Sequence, residues 1–170
     1  MGVLKRKQNP FGSIYKLPLK SGEHSYIKLL DEYKWGDLIA ILKGKHTIDL
    51  EEEILKNLEV EFEVFTIIPS FKGYKNFRKV INGDGVRSGI PIYMKSIVQT
   101  KEGKFKWEIV NPMDINKKSY ITETDEFTKL MSPFAMFPPN IIKKMIEDGF
   151  ILDKWDFDND YSYEYLNLVT

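Results

Sequence analysis

Alternation of apolar and polar residues along the N-terminal part of the chain predicts three consecutive β-strands. In the first of them, Tyr15, Leu17 and Leu19 share one face at the two-residue spacing of a strand. Pro18 lacks a backbone donor, so we expect this strand to lie at a sheet edge or to end early. The third strand is a continuous apolar run, which is typical of a central strand covered on both faces. The three strands are expected at residues 12–19, 24–30 and 37–44.

Helical and strand patterns follow in the rest of the chain. Asp49 precedes an acidic first turn, so it is expected to cap a short helix over residues 49–58. Pro139 suits the first turn of the clearest helix, residues 138–149, and Gly149 suits its C-terminal exit. The apolar face of that helix consists of Ile141, Ile142, Met145 and Ile146. The other expected elements are a strand at residues 60–68, a loop at 69–91, a hairpin at 92–110 and a short helix at 124–131.

This order of elements predicts an α+β fold. We expect one domain over residues 11–170, preceded by a mobile basic arm at residues 1–10. The sheet is expected to be mostly antiparallel and twisted. The N-terminal meander and the central hairpin would then pack against two or three short helices.

Composition narrows the classes of function. The 170 residues include 25 basic and 25 acidic side chains, which argues against capture of nucleic acid or of an anionic membrane by overall charge. The absence of cysteine excludes disulfides, thiolate nucleophiles and iron–sulfur clusters. No apolar run approaches the roughly 20 residues of a membrane helix, and no secretory pattern is visible at the N-terminus. The simplest interpretation is a cytoplasmic protein without a cofactor.

Catalytic and metal-binding motifs have little support. His24 and His46 are the only histidines, neither has metal-ligand spacing, and both are expected at exposed turns. The segment "GDGVRSG", residues 83–89, lacks the Gly-Lys-Ser/Thr ending of a phosphate-binding loop and is expected to be an ordinary turn-rich loop. A hydrolase that uses Asp156 and Asp158 as a carboxylate pair remains a weak alternative. We therefore predict that the protein is not an enzyme.

A basic and aromatic segment spans residues 71–79. Its aromatic rings could stack on bases while its cations meet phosphates, as in modules that bind RNA or single-stranded DNA. The alternative is that the aromatic rings pack inward beneath solvated cations. The candidate nucleic-acid residues are Lys72, Tyr74, Lys75, Phe77, Arg78 and Lys79.

An acidic and aromatic segment lies near the C-terminus. Residues 147–164 contain seven acidic side chains and one basic side chain. A solvated face is one interpretation, and a surface for a basic protein partner is the other. Calcium binding is disfavoured because Tyr161 and Asn167 occupy the expected glycine and bidentate glutamate positions. The candidate partner-binding residues are Asp153, Trp155, Asp156, Asp158, Asp160, Tyr161 and Tyr163.

The N-terminal segment "GSIYKLPLKSGEHSYIKLL", followed by "GDLIAILKG", resembles the signature of the Imm26 immunity-protein family. The likeness covers residues 12–68, and the "YIKLL" of the second strand replaces the small glycine-rich step of the family pattern. The matching residues are Gly12, Ile14, Tyr15, Leu17, Pro18, Leu19, Gly22 and Tyr26.

This resemblance implies a bacterial antidote encoded beside a polymorphic toxin. Such a protein binds its cognate toxin domain, often a nuclease, in the cytoplasm and blocks it without catalysis. An acidic surface would suit the basic substrate cleft of a nuclease. A module that binds RNA or single-stranded DNA through residues 71–79 is the alternative function, although the balanced charge makes a nucleic-acid partner the less favoured one.

Overall fold

The computed structural model describes residues 10–33, 36–91, 94–99, 101–103, 105–120 and 136–149. The strands are β1 (Ile14–Pro18), β2 (His24–Tyr33), β3 (Gly36–His46), β4 (Val60–Thr66), β5 (Arg78–Ile81), β6 (Met94–Gln99), β7 (Phe105–Asn111) and β8 (Asp114–Tyr120). The helices are α1 (Glu52–Asn57), a 3-10 helix (Ile68–Gly73) and α2 (Pro139–Asp148). None of these described helices has the length and apolar character needed to cross a membrane.

The strands form two antiparallel sheets. The larger sheet has the order β4-β3-β2-β1-β5, and the smaller sheet has the order β6-β7-β8. The α+β class, the N-terminal meander and the central hairpin are therefore confirmed. Pairing of β1 with β5 stops at Lys16, so Pro18 falls at the end of β1, beyond the last pair with β5.

The larger sheet is buried on both faces. On the first face, Tyr15, Leu17 and Ile27 pack with the 3-10 helix and α2. On the second face, Ile14 and Tyr26 pack with α1 and with residues of β6 and β7. Because β3 lies between β2 and β4, its residues from Leu38 to Leu42 are all buried, as its continuous apolar run predicts.

Helix α2 lies within the predicted range 138–149, and the two outer residues of that range, Pro138 and Gly149, are its caps. Pro139 is its first residue, and Gly149 ends it in the left-handed conformation at φ 62°. All four residues of the predicted apolar face are buried in the core of the first face. The three-to-four-residue spacing of an amphipathic helix is sufficient to explain this docking.

Three local predictions need correction. Helix α1 begins at Glu52 with Glu51 at the N-cap, and the carboxylate of Asp49 binds side chains of the sheet. The predicted loop at residues 69–91 contains the 3-10 helix and β5. Strand β8 was not predicted, because its polar sequence "DINKKSY" lacks a clear apolar alternation.

Several predictions concern residues that the structure does not describe. They are the basic arm up to residue 9, the short helix at residues 124–131, and the acidic and aromatic candidates at residues 153–163. These stay predictions from the sequence.

Candidate functional site

A second acidic segment, residues 47–63, lies within the described part of the chain. It contains seven acidic side chains and one basic side chain, Lys56, which is the same balance as residues 147–164. The segment runs from the end of β3 through α1 into β4. Because β3 and β4 pair with each other, the segment forms the connection between two neighbouring strands at one end of the larger sheet.

Exposed aliphatic side chains are interspersed with these carboxylates. Ile48 is 72% exposed, and Ile54 and Val60 are each 48% exposed. We use the name "α1 surface" for the set of exposed residues Ile48, Glu51, Glu53, Ile54, Val60 and Glu61. Large aliphatic side chains in water, with charges around them, are typical of a surface that contacts a partner.

Ion pairs neutralise only part of the acidic segment. Glu52 pairs with Lys56 at 2.5 Å, and Glu59 pairs with Lys43 at 2.8 Å. The hydrogen bond from Lys43 lowers the pKa of Glu59. Within the described part of the chain, the three carboxylates of the α1 surface form no ion pair. They therefore keep a negative potential beside the exposed aliphatic groups.

The segment is attached to the second face of the sheet by apolar contacts of Leu50, Leu55 and Leu58 and by several polar contacts. Leu55, 4% exposed, is the residue of α1 that enters the core. Asp49 forms ion pairs with Lys16 of β1 and, at 3.1 Å, with Arg78 of β5. The hydrogen bond from Lys16 lowers the pKa of Asp49 below its usual 3.8. The Leu50 amide donates to the Tyr26 hydroxyl at 3.1 Å.

The two histidines lie together beneath this segment, so the prediction of exposed turn positions was wrong for His24. His24 is 4% exposed and pairs in register with His46 across β2 and β3, with ring centroids 6.2 Å apart. Its Nε2 atom lies 3.0 Å from the Tyr26 hydroxyl and 3.6 Å from Asp49 Oδ1. Both histidines flank the short turns in sequence, but strand pairing carries His24 beneath residues 48–50.

Burial is the largest influence on the pKa of His24. It lowers the pKa of His24 from the usual 6.5, and the positive charge of Lys16 adds to this effect. The carboxylate of Asp49 acts in the opposite direction, but it is shared with two cations. Within the described part of the chain, no group of three or more histidine, aspartate or glutamate residues could hold a metal ion.

The aromatic residues of the basic segment pack against the sheet. Phe71 is fully buried, and Phe77 stacks on it with ring centroids 5.1 Å apart. Phe77 also stacks in parallel on Tyr15 at 5.4 Å. The ring of Tyr74 has the ammonium of Lys143 over it at 4.8 Å. The rings of this segment therefore have protein neighbours on the faces where bases would stack.

The cations of the basic segment remain in water. Lys72, Lys75 and Lys79 are exposed, while Arg78 binds Asp49. This arrangement corresponds to the packing interpretation, in which aromatic rings face inward beneath solvated cations. A phosphate contact would have to use the lysines without support from stacked bases.

The glycine-containing loop at residues 83–89 binds the rest of the protein through its own amides. The Gly83 amide donates to the Ser13 hydroxyl at 3.0 Å, and the Gly85 amide donates to the Phe11 carbonyl at 3.0 Å. The Gly89 amide donates to the carboxylate of Asp31 at 3.0 Å. These N–H groups are engaged within the protein.

Comparison with known proteins identified no similar protein. No protein-family model matches the chain, and no curated protein or solved structure matches it either.

Proposed function

We propose that the protein is a non-catalytic immunity protein that acts in the bacterial cytoplasm, where it binds and neutralises a cognate toxin domain. The resemblance over residues 12–68 supports this proposal. In the structure, these residues form β1 to β4 and α1. The region of resemblance thus includes both the centre of the larger sheet and the α1 surface.

The α1 surface is the single observation that carries the proposal furthest. Its exposed aliphatic residues Ile48, Ile54 and Val60 are interspersed along the sequence with the exposed residues Glu51, Glu53 and Glu61. Aliphatic anchors supply affinity when they are desolvated, and carboxylates accelerate association with a basic partner. The substrate cleft of a nuclease is basic because it binds phosphates, so a nuclease toxin domain is the partner of complementary charge.

The acidic segment near the C-terminus is the second surface assigned to the partner. The candidates are the residues predicted from the sequence: Asp153, Trp155, Asp156, Asp158, Asp160, Tyr161 and Tyr163. The two segments have the same charge balance, so both would favour a basic partner. Separate variants of each segment can therefore show which of them contacts the toxin.

The proposal is tested in cells that express the toxin domain encoded by the neighbouring gene. Co-expression of the wild-type protein is expected to restore growth, and the purified proteins are expected to form a complex. If a toxic domain encoded beside this protein kills the cells regardless of its presence, and the two purified proteins do not associate, the proposal is wrong.

Two charge variants and one control locate the interface. Replacing Glu51, Glu53 and Glu61 with Gln is expected to weaken the complex and to reduce its dependence on salt. Replacing Asp153, Asp156, Asp158 and Asp160 with Asn makes the equivalent change in the acidic segment near the C-terminus. Lys72→Gln with Lys75→Gln changes exposed charges on the basic segment and is expected to leave the complex unchanged.

A further inference from the structure

The step from Asn82 to Gly83 is chemically reactive when the backbone is free to move. The Gly83 nitrogen can attack the side-chain carbonyl carbon of Asn82, because glycine has no side chain that shields this nitrogen or restricts its approach. Asn82 is the only asparagine of the chain that is followed by glycine, and it is exposed to water. The sequence thus places one site of spontaneous deamidation directly after β5.

The reaction needs only water as a co-reactant. A bond forms between Gly83 N and Asn82 Cγ, the bond between Cγ and Nδ2 breaks, and the Gly83 hydrogen leaves with ammonia. Water then opens the succinimide ring at one of its two bonds to nitrogen. Cleavage at Cγ gives aspartate in an ordinary backbone, and cleavage at the backbone carbonyl carbon gives isoaspartate, whose backbone runs through Cβ and Cγ.

The fold holds both sides of this step against β1. Ile81 pairs in register with Ile14, and the Gly83 amide donates to the Ser13 hydroxyl at 3.0 Å. That hydroxyl is itself fixed, because it donates to the Pro10 carbonyl at 2.6 Å. The ring closes only when the Gly83 nitrogen gives up its hydrogen, so the bond to Ser13 must break first. The closed loop at residues 83–89 therefore blocks ring formation.

An isoaspartate at position 82 does not fit the closed loop. It adds one backbone carbon between Ile81, which is fixed on β1, and Gly83. A Cβ on Gly83 would lie 1.9 Å from the Phe11 carbonyl oxygen and 2.4 Å from the Ser13 amide, so Gly83 cannot absorb the extra length by moving toward that backbone. The Gly85 amide, which donates to the Phe11 carbonyl at 3.0 Å, is displaced with it.

We propose that Asn82–Gly83 is a latent deamidation site, which the closed loop at residues 83–89 keeps unreactive and whose isoaspartate product prevents the loop from closing again. The site makes an opening of this loop irreversible and marks the molecules in which it has occurred. It is a property of the free protein and holds whether or not the partner is a toxin.

Mass spectrometry of the aged protein measures the protection. The native protein and a synthetic peptide of residues 78–88 are incubated side by side in mildly alkaline buffer, and deamidation of Asn82 is followed by its mass increase. We expect deamidation to be at least about tenfold slower in the native protein, because only molecules with an open loop react. Equal rates in the protein and in the peptide would overturn the proposal.

Three variants test whether the loop controls the reaction. Ser13→Ala removes the acceptor of the Gly83 amide, so deamidation is expected to accelerate about threefold to tenfold. Arg87→Ala removes the bond from the same loop to Asp31 and is expected to accelerate it too, which keeps the test decisive if Ser13→Ala does not fold. Ser21→Ala, beyond the opposite end of β1, is the matched control and is expected to leave the rate unchanged. An unchanged rate in Arg87→Ala, or equal acceleration in Ser21→Ala, contradicts control by the loop.

The deamidated protein shows whether the loop can close again. Its isoaspartyl form, purified by ion exchange, is expected to lose hydrogen-exchange protection at the Gly85 and Gly89 amides, which bind Phe11 and Asp31 in the closed loop. Asn82→Asp introduces the same charge in an ordinary backbone, so it is expected to retain this protection. Equal protection of the two amides in the isoaspartyl form and in Asn82→Asp would show that the product does not keep the loop open.

Discussion

The guanidinium of Arg87 binds the buried carboxylate of Asp31, which lies 56 residues earlier in the chain and is only 3% exposed. Arg87 Nε donates to Asp31 Oδ1 at 2.8 Å, and the amides of Glu32 and Gly89 donate to the same carboxylate at 2.7 and 3.0 Å. The guanidinium also lies over the Phe11 ring at 5.0 Å. One buried acid of β2 thus fixes the loop at residues 83–89 against the sheet.

Removal of this acid is expected to destabilise the fold more than removal of the arginine. Asp31→Ala leaves the Glu32 and Gly89 amides without their acceptor, at a cost of about 2–3 kcal/mol in the free energy of unfolding. Arg87→Ala leaves both amide bonds to the Asp31 carboxylate intact and removes a side chain that is 58% exposed, so a smaller loss of about 1–2 kcal/mol is expected for the buried charge that loses its counter-ion. Urea denaturation of both variants checks the order, and an equal or reversed order contradicts this role of Asp31.

Gly83 is expected to tolerate no side chain. A Cβ at this position would lie 1.9 Å from the Phe11 carbonyl oxygen and 2.4 Å from the Ser13 amide, and both are backbone atoms. Gly83→Ala should therefore lower the melting temperature strongly or prevent folding. Gly73→Ala is the control, because nothing lies within 4 Å of its Cβ. A Gly83→Ala protein as stable as this control would show that the contact between the loop and Phe11 is absent.

Substitutions of Phe71 and Lys75 distinguish a packing role of the basic segment from a role in binding nucleic acid. Phe71→Ala removes a fully buried ring and is expected to cost about 3–5 kcal/mol of unfolding free energy. Lys75→Gln changes an exposed residue, so stability should stay within about 0.5 kcal/mol. If the segment binds RNA, Lys75→Gln instead weakens binding to a single-stranded oligonucleotide and lowers its salt dependence. When the oligonucleotide is titrated at low salt, we expect Lys75→Gln to behave like the wild-type protein.

Ile54 and Leu55 are neighbours on α1 with opposite expected roles. Leu55→Ala empties a position that is 4% exposed and should cost about 2–4 kcal/mol in unfolding free energy. Ile54→Ala alters a side chain that is 48% exposed, so stability is expected to remain within about 0.5 kcal/mol while affinity for the partner falls. Thermal melts and binding titrations of the two variants separate these effects. Full affinity in Ile54→Ala would remove this residue from the interface.

The sequence pattern was sufficient for elements whose apolar period is long and regular. The continuous run of β3 and the amphipathic face of α2 both predicted their burial, because one dominant factor, removal of apolar surface from water, decides such positions. Strand β5 was not predicted, because burial of apolar surface does not decide its position. Three of its four residues are exposed, and its pairing with β1 depends on contacts distant in sequence.

The polar contacts around His24 could not be predicted from the sequence either. Asp49 has the residue type of a helix cap, and only the folded sheet brings Lys16 and Arg78 to its carboxylate. The pairing of His24 with His46 depends on the register of β2 and β3. An irregularity in that register lies between His24 and Tyr26, and no local pattern specifies it.

The most direct test of the proposed function is a binding measurement with the partner recovered from the cells that encode this protein. Tagged protein serves as bait, the recovered protein is identified by mass spectrometry, and its purified domain is titrated against wild-type protein and against the Glu51, Glu53 and Glu61 to Gln variant. We predict one toxin domain with a basic surface, binding that inhibits its activity, and weaker binding by the variant. Recovery of RNA, or of a protein whose activity is unchanged in the complex, would contradict an immunity function.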